Sequence, residues 1–281
     1  MHCSYLLCWQ HTTVTIERNK EVIIIKYVGS KNKISKYIAP ILQKLIDNNN
    51  VSVYYEPMCG GLNMIDKIKC KYRIGNDIHP ELIAMWKALQ SGWKPPEHIS
   101  EKEYNLVRLN KNKYPDYYVG FVGFMAGFGG KYYGGFPRGK KPDGTPRDYT
   151  NEAIRNILKQ LHSVMDVKLI CRDYFDINMN QLHNALIYCD PPYRDTTKYS
   201  TNGFDYDKFY DWCREVSEFN ILCISEYQMP SDFACIWAKS VTTSLDISNI
   251  RHKNENRTEK LFMLNPHKYG ISEIQITNNI P

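Results

Sequence analysis

Short apolar runs alternate with amphipathic stretches of helical spacing along most of this chain of 281 residues. The clearest run, Ala185-Leu186-Ile187-Tyr188-Cys189, is typical of a strand buried on both faces. A strand, a helix and a second parallel strand are joined by a right-handed crossover. The alternation therefore predicts an α/β fold with a doubly wound, mostly parallel sheet. The predicted strands cover residues 22–25, 51–55, 73–77, 167–171, 185–189, 220–224, 241–245 and 260–264.

The helices between these strands are predicted from apolar faces and from capping residues. Ser100 with Glu103 forms a capping box, which predicts a helix that continues to about Lys113. Pro80 suits the first turn of a helix, because its missing N–H has no partner there in any case. Thr150 is predicted to cap a further helix, whose buried face comprises Ile154, Ile157, Leu158 and Leu161.

Residues 120–139 break this alternation, because they hold eight glycines interleaved with aromatic residues. The pattern fits neither a regular helix nor a regular strand, so residues 92–149 are predicted to form an inserted lobe that ends in a basic hairpin. The aromatic residues there are better explained as the core of the lobe than as platforms for stacked bases. A basic hairpin suits phosphate contacts, but a solvated loop would carry the same charges. Its basic side chains are Lys131, Arg138, Lys140, Lys141 and Arg147.

These boundaries divide the chain into an extension at residues 1–21, a body formed by residues 22–91 and 150–281, and the lobe at residues 92–149. The extension fits an added strand, a frayed arm or a start-site extension equally well. Its cysteines and histidines lack a second pair at zinc-finger spacing, so no metal site is predicted.

The composition limits the class of protein and its surroundings. The formal net charge of +6 is compatible with a nucleic-acid partner. The nine cysteines are scattered, which favours reduced thiols in a cytoplasmic protein over a disulfide scaffold. No apolar run is long enough to span a membrane, and no signal peptide is recognisable at residues 1–21. We therefore expect a cytoplasmic protein without a membrane partner.

Acidic side chains follow four of the predicted strands. Glu56, Asp77, Asp173 and Asp190 would meet at the edge of the sheet where open α/β proteins bind ligands. Acids crowded at one edge repel each other unless hydrogen bonds or a ligand use them. The glycines in Glu56-Pro57-Met58-Cys59-Gly60-Gly61 would allow a close backbone approach to a ligand. Asp77 suits an acceptor of ribose hydroxyls, and a helix cap before Pro80 is the alternative interpretation.

The sequence Asp190-Pro191-Pro192-Tyr193 follows the most apolar predicted strand. Its carboxylate and the carbonyl of Pro191 could accept both N–H bonds of an exocyclic amino group on a flat heterocycle. The prolines restrict the backbone, and Tyr193 could stack on the ring. A plain strand-to-loop turn is the alternative, because proline and aspartate are common in turns.

Four motifs appear in order: Tyr27-Val28-Gly29-Ser30-Lys31, the loop at residues 56–61, Asn76-Asp77, and the tetrad at residues 190–193. In this order they resemble the Dam-type family of DNA adenine-N6 methyltransferases, and especially its phage-encoded members. The resemblance extends from about Lys26 to Leu264 and includes the run from Arg257 to Phe262. Two departures are Met58-Cys59 in the loop and Ser30 in place of a frequent glycine.

The resemblance implies a Rossmann-like class I methyltransferase fold with a seven-stranded sheet and an inserted DNA-recognition lobe. It implies S-adenosylmethionine as methyl donor, S-adenosylhomocysteine as product, and no metal. The catalytic residues would be Asp190, Pro191, Pro192 and Tyr193. The residues that contact the cofactor would be Tyr27, Lys31, Glu56, Pro57, Gly60, Gly61, Asp77, Asp173, Tyr174 and Asp190.

The implied activity is transfer of a methyl group to N6 of an adenine in double-stranded DNA by a monomer or weak dimer. The adenine must be flipped out of the duplex, because its N6 atom is otherwise out of reach. Methylation of cytosine N4 remains an alternative, because the amino group of cytosine would bond to the same two acceptors on Asp190 and Pro191. An inactive DNA-binding protein is a further alternative. No Pro-Cys pair is present, which argues against methylation of cytosine C5. The sequence Gly134 to Lys140 imitates a phosphate-binding loop but lacks the Ser or Thr after the lysine.

Overall fold

The computed structural model describes residues 31–176, 182–193, 203–242 and 256–272. Within these ranges the chain forms seven strands and six α-helices. The strands are β1 (Val53–Glu56), β2 (Tyr72–Asp77), β3 (Lys168–Cys171), β4 (Ala185–Cys189), β5 (Ile221–Glu226), β6 (Ala234–Thr242) and β7 (Asn256–Met263). The helices are α1 (Asn32–Asn48), α2 (Pro80–Gln90), α3 (Glu101–Leu109), α4 (Asp116–Met125), α5 (Tyr149–Leu161) and α6 (Tyr206–Ser217).

The strands form one sheet in the order β3-β2-β1-β4-β5-β7-β6. All pairs from β3 to β5 are parallel, whereas β7 runs antiparallel to both β5 and β6. The order reverses at β1, which lies between β2 and β4. Ligands of open α/β sheets bind beyond the carboxyl ends of the strands at such a switch point. The predicted doubly wound, mostly parallel, seven-stranded sheet is confirmed.

The central strands are covered on both faces, and β4 is buried along its whole length. Tyr54 and Tyr188 belong to the core shared with α1 and α2, whereas Tyr55 and Ile187 belong to the core under α6. Because side chains alternate along a strand, residues two apart share a face. Glu56 therefore shares a face with Tyr54.

Helix α5 begins differently from the prediction. Its cap is Asp148, whose side chain accepts a hydrogen bond from the Asn151 amide, so the prediction that Thr150 caps this helix is wrong. Aspartate and threonine are both good caps, and the two residues lie two positions apart. The predicted buried face is also partly wrong, because Leu158 is exposed.

Helix α3 begins as predicted and ends earlier. Ser100 accepts a hydrogen bond from the Glu103 amide, which confirms the cap. The helix ends at Leu109, and a separate 3₁₀ turn covers Lys111–Lys113.

The glycine-rich segment begins as a regular helix, contrary to the prediction that it is irregular. Helix α4 runs through Gly120 and Gly123. A Cβ atom at position 120 would lie 2.1 Å from the carbonyl oxygen of Glu81, so glycine lets α4 approach α2 closely. Phe121 and Phe124 are buried in the core that also contains residues of α2.

The sixth strand lies earlier than predicted. β6 runs from Ala234 to Thr242, so only the first two residues of the predicted strand at 241–245 belong to it. Residues 243–250 lie outside the described residues. Within the described part of the chain, β6 lies at the edge of the sheet beside β7, and Lys239 and Ser240 weaken its apolar pattern.

Several predictions fall outside the described residues. They are the strand at residues 22–25, the extension at residues 1–21 with its cysteines, and the role of Tyr27. Among the described helices, none is both long enough and apolar enough to cross a membrane.

Candidate active site

Acidic side chains converge at the carboxyl edge of the sheet. Glu56 ends β1, Asp77 ends β2, and Asp190 directly follows β4. Because β1 pairs in parallel with both β2 and β4, these three strand ends are neighbours. Asp173 lies two residues beyond the end of β3, which is the outer neighbour of β2.

The loop after β1 is tied to the end of β2. The Cys59 amide donates to the carbonyl of Asn76 at 2.8 Å, and the Gly60 amide donates to Oδ2 of Asp77 at 2.9 Å. The side-chain amide of Asn76 donates to the carbonyl of Pro57 at 2.9 Å. Gly60 has a φ of 47°, a left-handed conformation that glycine adopts readily. These hydrogen bonds fix the position of the loop relative to the end of β2.

Helix α5 holds the second glycine of this loop. The side-chain amide of Gln160 is buried and donates to the carbonyls of Gly61 at 3.0 Å and Leu62 at 2.9 Å. The Asn76 amide also reaches the carbonyl of Arg172 at 3.0 Å, which joins the loop after β1 to the loop after β3. Sequence reasoning gave Asn76 and Gln160 no positioning role. The available signal for Gln160 was a polar residue on the apolar face of its helix.

Asp77 accepts main-chain hydrogen bonds on both oxygens. Its Oδ1 accepts from the His79 amide and its Oδ2 from the Gly60 amide, each at 2.9 Å. Burial raises the pKa of Asp77, and these amides oppose the rise. The residue before α2 is His79, so the alternative in which Asp77 caps this helix is wrong. Each carboxylate oxygen retains further acceptor capacity, which a ribose hydroxyl could use.

Glu56 is buried below this edge. Its Oε1 accepts a hydrogen bond from the Tyr54 hydroxyl at 2.7 Å. Burial raises the pKa of Glu56 well above its ordinary value, and the Tyr54 hydrogen bond offsets only part of the rise. An ammonium group that approached Glu56 would favour its ionised form. This chemistry is compatible with the predicted contact between Glu56 and a cofactor.

Asp190 belongs to a compact polar cluster with Lys31, Tyr193 and Glu259. The Lys31 Nζ atom lies 3.0 Å from Asp190 Oδ1 and 3.3 Å from Glu259 Oε2. The Tyr193 hydroxyl donates to Glu259 Oε2 at 2.8 Å and also contacts the Lys31 ammonium. The side chains of Lys31, Asp190 and Glu259 are 8%, 21% and 12% exposed. One ammonium group thus forms ion pairs with two largely buried carboxylates.

The charges in this cluster shift one another's protonation. Burial lowers the pKa of Lys31, but the Asp190 and Glu259 carboxylates outweigh this effect and raise it overall. Burial raises the pKa of Asp190 to about 6; Lys31 opposes the rise and Glu259 adds to it. Asp190 is therefore mostly ionised at neutral pH and becomes protonated in mild acid.

The other residues of the tetrad are fixed by their neighbours. Pro191 is buried, and the Pro192 carbonyl accepts a hydrogen bond from the Tyr206 hydroxyl at 2.8 Å. The ring of Tyr193 packs edge-on against Tyr227 with centroids 4.5 Å apart. The Lys31 Nζ atom lies 4.0 Å from the centroid of the Tyr193 ring.

Asp173 and Tyr174 lie at the end of β3, separated from β4 by β2 and β1. Asp173 Oδ1 accepts a hydrogen bond from the Phe175 amide at 3.0 Å. The Tyr174 ring packs edge-on against Phe209 and Trp212 of α6, and burial raises its pKa to about 12. The structure therefore does not bring this pair into the Lys31–Asp190 cluster.

The basic hairpin contains an antiparallel bridge between Lys140 and Pro146. Two of its five predicted phosphate contacts are paired with acids instead. Arg138 pairs with Glu101, and Arg147 pairs with Glu152 at 2.7 Å. Three exposed lysines at 131, 140 and 141 form no salt bridge with any residue that the structure describes.

Glu259 is the member of the polar cluster that sequence reasoning missed. It lies on the same face of β7 as Leu261 and Met263, which are buried. An acid on the apolar face of a strand was the signal available in the sequence. Across the described ranges, no cluster of three His, Cys, Asp or Glu side chains could hold a metal ion.

Comparison with known proteins relates the chain to DNA methyltransferases. Modification methylase StsI from Streptococcus sanguinis is 26% identical and Type II methyltransferase M.FokI from Planomicrobium okeanokoites 25% identical, each over 72% of this chain and 33% of the relative. The chain thus spans about a third of the length of these two relatives. Type II methyltransferase M.MjaIII from Methanocaldococcus jannaschii is 23% identical over 67% of this chain and 74% of its own length. A sequence profile described as D12 class N6 adenine-specific DNA methyltransferase matches residues 27–122 and 130–257. This chain therefore belongs to the D12 class N6 adenine-specific DNA methyltransferase family.

Proposed function

We propose that the protein transfers a methyl group from S-adenosylmethionine to N6 of adenine in double-stranded DNA. The observation that carries this proposal is the position of Asp190-Pro191-Pro192-Tyr193 directly after β4, beside the switch point of the sheet. Membership of the D12 class supports adenine N6 as the target atom. The resemblance to the Dam-type branch and its phage-encoded members belongs to the same proposal.

The strand ends around β1 have the chemistry that the methyl donor requires. Asp77 offers a half-buried carboxylate for ribose hydroxyls, and Gly60 and Gly61 allow a close approach of the main chain. Glu56 offers a buried carboxyl for the ammonium of the amino-acid part. When bound, the donor supplies the electrophilic sulfonium methyl group. Lys31, Pro57, Asp173 and Tyr174, with Tyr27 outside the described residues, complete the proposed cofactor contacts.

Asp190 and Pro191 are proposed to act on the amino group of a flipped adenine. The N6 lone pair is delocalised into the ring, so the free base is a weak nucleophile. Hydrogen bonds from both N6 protons to the Asp190 carboxylate and the Pro191 carbonyl favour a pyramidal nitrogen with an available lone pair. Catalysis then consists mainly of orientation and preorganised electrostatics. Stacking on Tyr193 would add about 1–3 kcal/mol to base binding.

The lobe at residues 92–149 is proposed to contact DNA through its basic hairpin. Lys131, Lys140 and Lys141 are exposed and suit phosphate groups, whereas Arg138 and Arg147 would first have to leave their acidic partners. The names of the relatives support a modification role. We also propose a monomer or weak dimer that acts in the cytoplasm of a bacterial host.

Incubation of unmethylated duplex DNA with the protein and isotope-labelled S-adenosylmethionine tests this proposal. The DNA is then digested, and its nucleosides are identified by mass spectrometry. We expect label in N6-methyladenine alone. Label in N4-methylcytosine would support the alternative amino-group target, and DNA binding without label would support an inactive protein.

A further inference from the structure

The Lys31 ammonium lies against both groups that the proposed function assigns to the target adenine. It is 3.0 Å from Asp190 Oδ1 and 4.0 Å from the centroid of the Tyr193 ring. An adenine whose amino group bonds to Asp190 and whose ring stacks on Tyr193 competes with Lys31 for these contacts. The ion pair between Lys31 and Asp190 must then weaken. Lys31 still needs a carboxylate partner, because an unpaired buried ammonium is strongly disfavoured.

Glu259 is a second carboxylate within reach of the same nitrogen. Its Oε2 atom lies 3.3 Å from Lys31 Nζ and accepts the Tyr193 hydroxyl at 2.8 Å. Glu259 is 12% exposed and is supplied by β7, two strands away from β4 in the sheet. It can therefore keep both Lys31 and Tyr193 in place when Asp190 turns to another partner.

We infer that Glu259 is a positioning residue, which retains the Lys31 ammonium and the Tyr193 hydroxyl while Asp190 accepts the amino group of the target base. The inference rests on the proposed function. Glu259 acts through its two partners and does not itself touch the base. Its charge, and not only its shape, is what this role requires.

The pH dependence distinguishes this role from simple packing. Among the residues that the structure describes, the charged and titratable groups near Asp190 are Lys31, Glu259, Glu56, Tyr188, Cys189 and Tyr193. Burial raises the pKa values of Glu56, Tyr188 and Tyr193 well above their ordinary values, whereas the Glu259 carboxylate raises the pKa of Asp190. Without that charge, Lys31 pairs with Asp190 alone and the pKa of Asp190 falls.

The experiment compares the pH–rate profile of adenine methylation for the full chain and three variants. We expect Glu259→Gln to lower kcat by about 10- to 100-fold, because the reacting groups lose their alignment. The acid limb of its pH–rate profile, where activity is lost as the pH falls, should also move to lower pH. Glu259→Asp, which keeps the charge, should recover most of kcat and the wild-type acid limb. Glu218→Gln, at an exposed carboxylate after α6, is the matched control and should behave as wild type.

Wild-type kcat in Glu259→Gln, or a lower kcat with an unmoved acid limb, would overturn the inference. If Glu259→Gln does not fold, the kcat and the acid limb of Glu259→Asp test the inference instead. A wild-type acid limb with kcat within about tenfold of wild type supports the role, and a folded but inactive Asp variant overturns it. Absence of transfer by the wild-type protein would overturn the proposed function together with this inference, whereas the variant results concern Glu259 alone.

Discussion

Asp190 combines a strand-end position with opposing electrostatic influences. Burial and Glu259 favour its neutral form, whereas Lys31 favours its carboxylate. A carboxylate in such a site is a strong hydrogen-bond acceptor, because few water molecules compete for it. The single residue therefore has two properties that the proposed chemistry requires, a fixed direction and a charge that persists at neutral pH.

Methyl transfer should decline in mild acid. The pKa of Asp190 is raised to about 6, so its ionised fraction decreases as the pH falls through that value. Because the carboxylate accepts an N–H bond much more strongly than the protonated acid does, kcat/KM should fall about tenfold per pH unit below that pKa. The measurement is kcat/KM between about pH 5 and about pH 9. A limb near the ordinary aspartate pKa of about 4 would contradict the effect of burial.

Some residues of the candidate site were predictable from the sequence, and others were not. Asp190 was placed at a strand end because it directly follows an apolar run, and Asp77 because it closes the predicted strand at residues 73–77; the structure has both there. Glu259 was not assigned, since its partners Lys31 and Asp190 lie far from it in sequence and meet it only through the sheet order. Such long-range pairing is a property of topology, which no local pattern contains.

At the scale of elements, α5 supports the loop after β1 through one side chain. Gln160 donates to two carbonyls of residues 61 and 62, and the loop in turn is bonded to Asp77 through Gly60. Loss of this contact would leave buried carbonyls without their donor, at a cost of about 1–3 kcal/mol. The shape of the proposed donor site should therefore depend on a helix that does not itself reach the strand ends.

Gln160→Ala should weaken binding of the methyl donor or its product. Gln90→Ala is the matched control, because Gln90 likewise donates to two carbonyls, those of Val164 and Val167, away from this loop. Both variants should lose similar stability, but Gln160→Ala alone should raise the Kd for S-adenosylhomocysteine. Calorimetric titration and thermal unfolding measure the two effects. Equal Kd values for the two variants would show that α5 does not shape the donor site.

The close approach of α4 to α2 predicts an order of stabilities. A Cβ atom at Gly120 would meet the backbone oxygen of Glu81 at 2.1 Å, whereas at Gly123 its three nearest atoms would belong to the rings of Tyr132 and Tyr133. Side-chain rings can shift more easily than backbone. Gly120→Ala should therefore lose about 1–3 kcal/mol of unfolding free energy, and Gly123→Ala less. Denaturant unfolding of both variants checks the order, and a more stable Gly120→Ala protein would contradict it.

Element boundaries were predictable where the apolar period was strong. Helix α6 and strand β4 follow their sequence patterns closely. Strand β6 lies at the edge, where pairing with β7 and not an apolar run defines its length. Helix α4 was missed because glycine lowers intrinsic helix propensity, and only packing against α2 compensates for this.

At the scale of the whole molecule, the proposed contact with DNA depends on the exposed positive charge in and beside the hairpin. The net charge is +6, and exposed lysines 131, 140 and 141 lie in or next to the hairpin. The salt bridges of Arg138 and Arg147 reduce the number of available cations, which the sequence could not reveal. The expected phosphate contacts in this segment are therefore mainly the lysines.

Replacement of these three lysines by alanine should weaken DNA binding in a salt-dependent way. Each lost phosphate contact should reduce the slope of log K against log salt concentration by about one unit. Lys159→Ala, an exposed lysine of α5 outside the hairpin, serves as control and should leave the slope unchanged. The slope is measured by fluorescence anisotropy over a range of salt concentrations. An unchanged slope in the triple variant would exclude these three lysines as phosphate contacts.

The most direct measurement is the single-turnover rate of methyl transfer to adenine by Asp190→Asn at saturating donor and DNA. Asparagine keeps the size of the side chain but removes its charge and one acceptor oxygen. The rate should fall by about 100- to 1,000-fold in a protein that still folds, because a neutral amide oxygen is a weaker acceptor and cannot stabilise the positive charge that develops on the amino group. A rate within a few-fold of wild type would show that the carboxylate after β4 does not hold the reacting nitrogen.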